Sequence, residues 1–423
     1  MNQLAQFLNY IQKVFALKRV LAGVRARRQD PEVSTYAVLL CLLLGVVLRI
    51  PSYLDLAQQS KRRGWRHLCH LPRSVADDMF DHVTERLVVE DVRAAPVQVV
   101  KRLKANKALE SCKINGLLWL SLDANEHFKS RSRCCECCCQ REIQETDAQG
   151  CKHKVTEYYH RYVFAQINGP KLNVVIDVEP IRPGEDECAA ALRLLGRVRR
   201  LYGPRFFDGV TADAWYAKGP FLRALDKLGW LWVAVLKRED MEVYQEALAL
   251  SRGQKPDALF RDQERGREVK LWQVSDLRFS DGYDKNVSVV LSEERWSETK
   301  IAGGKKSAQA QQSQWMWVSC HKLAGAYPPR LTYQAGHRRW GIENKAFNEL
   351  TQGYHLEHCY HHDPTSMLVQ MLILVLGFTL FSAFAQLHSQ LIRQGSTTLK
   401  ALTDLLNLGL EQALDWQLWF DTS

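Results

Sequence analysis

The stretch GLLWLSLDANEHF, residues 116–128, is apolar up to Asp123. Such a run is typical of a buried β-strand that ends in an acid. A second stretch of the same design, FFDGVTADAWY at residues 206–216, predicts a strand that ends in Asp213. The elements around these two strands decide the fold class.

Strands and helices alternate on either side of Asp213. Two predicted strands, YYHRYVFAQI and KLNVVIDVEPI, follow the first one, and a helix that stops at Gly203 comes next. After the Asp213 strand come a second helix, GPFLRALDKLG, and another strand, WLWVAVLKR. The order β-β-β-α-β-α-β is the plan of a ribonuclease H-like fold. In that plan the first and fourth strands are neighbours, so Asp123 and Asp213 are expected to lie close together.

A charged pair interrupts the apolar face of the predicted helix HRRWGIENKAFNEL, residues 337–350. On a regular helix, at about 100° per residue, Arg339 and Glu343 lie near the middle of the face that should pack on a core. A buried ion pair is one interpretation, although removing both charges from water is unfavourable. The other is that the Glu343 carboxylate faces a metal site at the edge of a sheet.

The three acids Asp123, Asp213 and Glu343 form a candidate metal site. Carboxylates brought to one point repel one another unless cations bind. Hard oxygen ligands select Mg²⁺ or Mn²⁺. Two such ions, about 4 Å apart, can activate a water or hydroxyl and stabilise the leaving oxygen of a phosphodiester. Arg339 is then expected to hold a phosphate or to orient a carboxylate.

These motifs resemble the DDE transposases of bacterial insertion sequences, the cut-and-paste group with a β-strand insertion before the final glutamate. The resemblance covers roughly residues 115–385 and is carried by LSLDANEHF, by EPIRPGEDE through VTADAWY, and by RRWGIENKAFNEL. It implies that Asp123, Asp213 and Glu343 are the metal ligands. Arg339 corresponds to the signature arginine of the group.

The signature of the group, Y-x2-R-x3-E-x6-K, is incomplete in this chain. Gly336 stands at its Tyr position and Leu350 at its Lys position. Tyr333 and Lys345 lie nearby but out of register. The roles of the Tyr and Lys in gripping the transposon end therefore do not transfer directly.

The predicted fold class is α/β, with a ribonuclease H-like catalytic domain around a mixed sheet, a β-rich insertion and a helical N-terminal domain. Within the insertion, the stretch AGGKKSAQAQQSQ is predicted to be a loop. The predicted domains are a helical DNA-binding domain at 1–112, the first part of the catalytic core at 113–239, the β-rich insertion at 240–332, and the second part of the core at 333–423, with the Glu343 helix and the C-terminal helices.

Charge favours a polyanionic partner. The chain has 57 Lys and Arg against 47 Asp and Glu, which gives a net charge of +10. Basic runs in the first 110 residues favour contacts to DNA phosphates. They contain Arg25, Arg27 and Arg28 in one run and SKRRGWRH, around Trp65, in another.

The expected function is a transposase that binds the terminal inverted repeats of an insertion sequence, cleaves the DNA and joins the ends to target DNA. The resemblance implies a homodimer in the DNA complex. The alternative is a non-catalytic protein, a domesticated or decayed copy that only binds DNA. That alternative predicts the loss of one acid of the triad, and Asp123, Asp213 and Glu343 are all present.

Twelve cysteines are present, and five of them fall within residues 134–139. Clustering of this kind in a long chain indicates a reducing compartment, and the N-terminus lacks the pattern of a signal peptide. A cytoplasmic, nucleoid-associated protein is expected. The run CCECCC offers two interleaved C-x2-C pairs, Cys134 with Cys137 and Cys135 with Cys138.

A tetrahedral zinc site at the Cys134–Cys139 cluster is one interpretation of this run, and a reduced, partly packed loop is the other. The ligands that might complete the site are Cys151, His153 and His160. A second group, HLEHCYHH at residues 355–362, has no clean zinc spacing and predicts an exposed helix end near DNA.

The stretch PTSMLVQMLILVLGFTLFSAFAQLH, residues 364–388, is long enough to span a bilayer. Polar residues such as Gln370 and Thr379 dilute it, and a helix buried in a large soluble domain is favoured. No membrane partner is expected. A membrane protein remains the competing interpretation, but it leaves the three acids unexplained.

Overall fold

The computed structural model describes residues 2–147, 150–279, 282–302 and 305–412. The chain divides into two compact units. The first unit consists of Met1–Cys112, Ala124–Tyr202 and Glu343–Ser423, and the second of Lys113–Asp123 and Gly203–Ile342. These units combine separate chain segments, whereas the sequence predicts consecutive domains. The predicted domain boundaries stay a prediction.

Helices form the N-terminal part of the first unit, as predicted. Polar side chains begin several of them: Asn2 accepts a hydrogen bond from the Ala5 amide, and Ser34 accepts one from the Ala37 amide. Such caps satisfy amides that the first helical turn leaves without partners. The helices are α1 (Gln3–Phe15), α2 (Leu17–Ala22), α3 (Thr35–Val47), α4 (Tyr53–Ser60), α5 (Arg63–Leu68), α6 (Asp77–Thr84) and α7 (Val89–Ala105).

Four strands and a helix follow α7 along the chain. The next elements are β1 (Trp119–Ser130), β2 (Cys139–Thr146), β3 (Lys152–Asn168), β4 (Asn173–Pro180) and α8 (Glu187–Tyr202). The strand order in the first unit is β2-β3-β1, and β4 also pairs with β3. The predicted count of three strands before α8 is wrong, because β2, with the mostly polar sequence CQREIQET, is a fourth strand.

The second unit contains the first half of β1. Its next elements are β5 (Gly209–Ala212), α9 (Gly219–Leu228) and β6 (Leu231–Val235). Strands β1, β5 and β6 are parallel neighbours. The predicted adjacency of the first strand and the Asp213 strand is therefore confirmed. Gly229 closes α9 in a left-handed conformation, with φ of 75°, which glycine adopts without strain.

The β-rich insertion follows β6. It contains α10 (Glu242–Ser251), β7 (Ala258–Asp262), β8 (Arg267–Arg278), β9 (Asn286–Ala302), β10 (Lys305–Cys320) and α11 (His321–Ala326). The strand order in the second unit is β1-β5-β6-β10-β9-β8-β7, and β10 runs antiparallel to β6. The insertion thus extends the sheet of the second unit.

The loop predicted at AGGKKSAQAQQSQ is wrong. Strand β10 already begins at Lys305 and pairs with β9 residue by residue as far as Cys320. Residues 308–314 are largely exposed. This part of the ribbon therefore lacks the apolar alternation by which a sequence reveals a strand.

The single regular helix predicted at 337–350 is also wrong. The structure has α12 (Pro329–Arg338), a π-helical segment at Ile342–Phe347, and α13 (Asn348–Tyr354). The C-terminal helices are α14 (Pro364–Ala383), a further π-helical turn at Phe384–His388, α15 (Gln390–Arg393) and α16 (Leu399–Gln412).

Helix α14 is the core helix of the first unit. Among the described residues, Pro364–His388 is the helix that is long and apolar enough to cross a membrane by length and composition, with a mean hydropathy of 2.2. Its most apolar window is 89% buried, and it packs against α3, α7 and β4. The Tyr53 hydroxyl donates a hydrogen bond to the Gln370 side chain. The expectation of a buried helix is confirmed.

Candidate functional site

Asp123 and Asp213 lie on neighbouring parallel strands of the second unit. The register pairs Ser121 of β1 with Thr211 of β5. Each acid comes two residues after its member of this pair, so the two acids lie side by side. The prediction that the first strand ends at Asp123 is wrong, because β1 continues to Ser130, whereas β5 ends at Ala212. Both side chains are half-buried. The structure therefore brings these two predicted site residues together.

The Asp213 carboxylate is held by the backbone that follows it. It accepts a hydrogen bond from the Trp215 amide at 2.8 Å and caps a short 3-10 helix. Trp215 itself is 56% exposed, and the Lys218 ammonium lies 4.0 Å from the centre of its ring. Sequence reasoning missed this exposed aromatic residue, although its position two residues after a candidate ligand was a usable signal.

Arg339 contacts the Asp123 carboxylate directly. Its guanidinium donates to Asp123 at 3.2 Å, and the two side chains are only 3% and 15% exposed. Helix α12, which leads to Arg339, is tied to β5, because the Thr211 hydroxyl donates to the Ala335 carbonyl at 3.1 Å. Of the two roles expected for Arg339, this contact favours the orientation of a carboxylate.

Glu343 does not face the core, and this part of the prediction is wrong. Its side chain is exposed. The physical reason is the π-helical segment at Ile342–Phe347, which changes the angular phase that a regular helix would give. Glu343 is the first residue of the last segment of the first unit, whereas Asp123 and Asp213 belong to the second unit. The assembly of all three acids stays a prediction.

The incomplete signature has a packing explanation. A Cβ atom at Gly336 would lie 2.2 Å from Nε1 of Trp317, so the indole occupies the space that a tyrosine needs. Tyr333 cannot substitute for it, because this side chain is buried and its hydroxyl bonds to Asp262 and Arg265. Leu350 is buried as well.

A fully buried carboxylate supports α12 from the insertion. Glu294 of β9 bonds to Nε2 of His337 at 2.6 Å and to the guanidinium groups of Arg265 at 3.0 Å and Arg267 at 2.6 Å. Burial alone raises the pKa of Glu294, but the bond from His337 and the two arginines bring it to about 2. Burial lowers the pKa of His337 to about 4. His337 is therefore neutral near pH 7, and its Nε2–H donates to the carboxylate.

Two buried acids of the first unit, Asp177 and Glu179, form ion pairs with arginines. Asp177 of β4 accepts from Arg93 and, at 2.7 Å, from Arg197. Glu179 accepts from Arg193 at 2.8 Å and from Arg197 at 2.5 Å. These side chains form a compensated ion-pair network, which needs no metal ion to balance its charge.

Four metal-ligating side chains converge in the first unit, and we call them the Cys/His cluster: Cys135, Cys138, His160 and His362. Their ligand atoms all lie within 4.8 Å of one another. The two sulfurs are 3.7 Å apart, and the two Nε2 atoms are 3.3 Å apart. Sulfur-to-nitrogen distances are 3.5 Å from Cys135 to His160, 3.3 Å from Cys138 to His160 and 3.4 Å from Cys138 to His362.

Burial sets the protonation of this cluster. It lowers the pKa of His160 to about 4, with His362 adding to the shift, and it lowers the pKa of His362 as well. Both imidazoles are therefore neutral near pH 7, and each can offer a lone pair. Burial raises the pKa of the Cys138 thiol to about 11. A cation at the cluster would favour the thiolate.

The cluster corrects two predictions made from spacing. Of the proposed zinc ligands, Cys135, Cys138 and His160 take part, whereas Cys134 and Cys151 are exposed. The segment 355–362 is a half-buried loop rather than an exposed helix end, and it supplies His362. Sequence reasoning missed this ligand because it lies 202 residues from His160.

The family model described as Transposase DDE domain matches residues 146–380, which is more than half of the chain. The chain belongs to this family. The transposase domain match includes Asp213 and Glu343 but begins after Asp123. The family resemblance seen in the motifs is thereby confirmed.

Other comparisons add little. No curated protein matches the chain. Among solved structures, the cryo-EM structure of the piggyBac transposase synaptic complex with hairpin DNA is similar at 13% identity and a TM-score of 0.42. The alignment covers 97% of this chain and 80% of that chain.

The N-terminal basic residues of this transposase-family chain differ in what they contact. Arg25 pairs with Asp91 at 2.7 Å. Arg28 is half-buried and donates to the Val33 carbonyl and the Thr35 hydroxyl, both at 3.0 Å. Trp65 is buried in the core. Exposed basic side chains of the first 110 residues include Lys18, Arg19, Arg27, Lys61, Arg62 and Arg63.

Proposed function

We propose that this protein is a transposase that cleaves DNA at the ends of a mobile element and joins those ends to target DNA. Membership of the Transposase DDE domain family supports the class of reaction. The observation that carries the proposal is the placement of Asp123 and Asp213 at matching positions on neighbouring strands. Glu343 is the third proposed ligand.

The residues fit divalent metal ions. Asp123 and Asp213 supply hard carboxylate oxygens, which suit Mg²⁺ or Mn²⁺. When two such ions are bound, they supply activation of the attacking water or 3′-hydroxyl and stabilisation of the leaving oxygen. Asp123 and Asp213 would hold the ions, and Arg339 orients the Asp123 carboxylate through its hydrogen bond.

The proposed partners are the terminal inverted repeats of an insertion sequence and the target DNA. The net charge of +10 and the exposed basic residues of the N-terminal helices support binding to phosphates. A homodimer in the DNA complex and a cytoplasmic, nucleoid-associated location belong to the same proposal. A non-catalytic DNA-binding protein is the outcome if the acids prove dispensable.

Cleavage of end DNA by the full chain tests this proposal. The variants are Asp123→Asn, Asp213→Asn and Glu343→Gln. Each is expected to lower cleavage by at least about a thousandfold, which corresponds to about 4 kcal/mol. Binding measured by gel retardation should change little, because the basic helices hold the DNA. Mg²⁺ or Mn²⁺ should support cleavage, and Ca²⁺ should support binding only.

Asp240→Asn is a matched control, since this exposed acid of the second unit pairs only with its surface neighbour Arg238 in the described contacts. It should cleave like the wild type. Wild-type cleavage by one of the three test variants removes that residue from the site. Binding without cleavage by the wild type, under all metal conditions, identifies a decayed copy.

A further inference from the structure

The Cys/His cluster has the dimensions of a zinc site. Tetrahedral zinc, with Zn–S of about 2.3 Å and Zn–N of about 2.05 Å, requires sulfur atoms about 3.8 Å apart, S···N distances of about 3.5 Å and nitrogens about 3.3 Å apart. The cluster has 3.7 Å between its sulfurs, 3.3 Å between its nitrogens and 3.3–3.5 Å for three of its four sulfur-to-nitrogen pairs. All four ligand atoms lie within 4.8 Å of one another. We propose that these four side chains bind one structural zinc ion: Cys135, Cys138, His160 and His362.

The backbone around the two cysteines supports this assignment. The Cys138 amide donates to the Cys135 carbonyl at 3.1 Å, which closes a tight turn. The Cys135 amide donates to the Cys138 sulfur at 3.3 Å. An N–H bond to sulfur stabilises negative charge on it, which a thiolate ligand carries. The turn therefore presents both sulfurs to one point.

The chemistry of the ligands selects the metal. Two thiolates and two imidazoles favour zinc over Mg²⁺ or Mn²⁺, which prefer oxygen. Four protein ligands fill a tetrahedral shell and leave no position for a water or substrate, so the site is structural. It would thus differ in metal and in role from the proposed site at Asp123 and Asp213.

The ligands come from three separate segments of the first unit. Cys135 and Cys138 lie between β1 and β2, and His160 lies in β3. His362 lies in the loop between α13 and α14, and its ring also packs 4.8 Å from that of Phe128. Zinc would therefore link the loop between α13 and α14 to strand β3 and to the β1–β2 connection.

Metal analysis of the purified full chain tests the proposal without DNA. We expect one zinc ion per chain by mass spectrometry. Replacement with Co²⁺ should produce the thiolate-to-cobalt charge-transfer band and the visible bands of a tetrahedral site. A zinc chelator should lower the melting temperature, because binding energy at a structural zinc site is folding energy.

The interleaved cysteines provide matched variants. Cys135→Ser and His362→Ala should lose zinc and melt at a lower temperature. Cys134→Ser and Cys137→Ser, in the other C-x2-C pair, should retain one zinc ion. His362→Cys should also retain zinc with a red-shifted cobalt spectrum, because it replaces an imidazole with a third thiolate, and it remains informative if His362→Ala does not fold.

Three results would overturn the assignment. The first is wild-type protein, purified with zinc in the medium, that contains no zinc. The second is equal loss of zinc from the Cys134→Ser and Cys135→Ser variants. The third is a disulfide between Cys135 and Cys138 in protein kept under reducing conditions. Since none of these measurements involves DNA cleavage, failure of the zinc site and failure of the transposase proposal are separate results.

Discussion

Replacing Gly336 with alanine sets two effects of opposite sign against each other. Gly336 lies inside α12, where alanine is favoured over glycine by about 1 kcal/mol of helix propensity. However, the added Cβ would lie 2.2 Å from Nε1 and 2.4 Å from Cδ1 of Trp317, well below ordinary contact distance. The balance depends on whether Trp317 can move.

Trp317 is held on several sides. Its side chain is fully buried, and its ring packs against those of Tyr333 and His337, with centroids 5.8 Å and 4.8 Å away. Overpacking of a tight core costs about 1–3 kcal/mol, and a clash with an immobile indole belongs at the upper end. Subtracting the gain in helix propensity leaves a net loss of about 2 kcal/mol for Gly336→Ala.

Thermal melting measures this loss. For a unit of this size, about 2 kcal/mol corresponds to a fall in melting temperature of about 4–8 °C. Gly196→Ala is the matched control, because Gly196 lies inside α8, is exposed, and has nothing within 4 Å of the position of the added Cβ. It should raise stability by up to about 1 kcal/mol. If Gly336→Ala melts at or above the wild-type temperature, the indole does not block this position and the packing explanation of the missing tyrosine is wrong.

Two further predictions concern charge. Replacing Lys61, Arg62 and Arg63 together with alanine should lower the slope of a log–log plot of end-DNA affinity against salt by up to about three units. Arg28→Ala should leave the slope unchanged, since Arg28 bonds to Val33 and Thr35. An unchanged slope for the triple variant would place the DNA-binding surface elsewhere. The folded-state pKa of Glu294, about 2, lies below its ordinary value of 4.5, so its contribution to stability is present above about pH 4.5 and is lost as the pH falls towards 2. Glu294→Gln should remove that part of the pH dependence, and melting curves of the two proteins that stay parallel between about pH 5 and pH 3 would contradict this.

The sequence was sufficient where a pattern is local. Apolar runs that stop at Asp123 and Asp213, with strands and a helix between them, predicted the central strand order and the adjacency of the two acids. These features depend on neighbouring residues and on the short connections between them. The buried helix at 364–383 was likewise readable from its composition and its polar interruptions.

Features set by distant contacts were not readable. Strand β10 is largely polar from Lys305 to Gln314, and this part pairs with β9 without apolar alternation. His362 joins Cys135, Cys138 and His160 across more than two hundred residues, and no spacing rule connects them. The phase of the segment that carries Glu343 depends on a π-helical turn, which the periodicity of a regular helix does not anticipate.

The π-helical segment at Ile342–Phe347 changes the direction in which the residues of the signature point. Glu343 and Leu350 are seven residues apart, and on a regular α-helix they would point in directions that differ by only about 20°. Here the first side chain is exposed and the second is fully buried. A lysine at position 350, as the family signature has it, would enter the interior of this protein, not a surface that DNA can reach. Leu350→Lys would therefore not restore the contact with DNA that the signature lysine makes in the family.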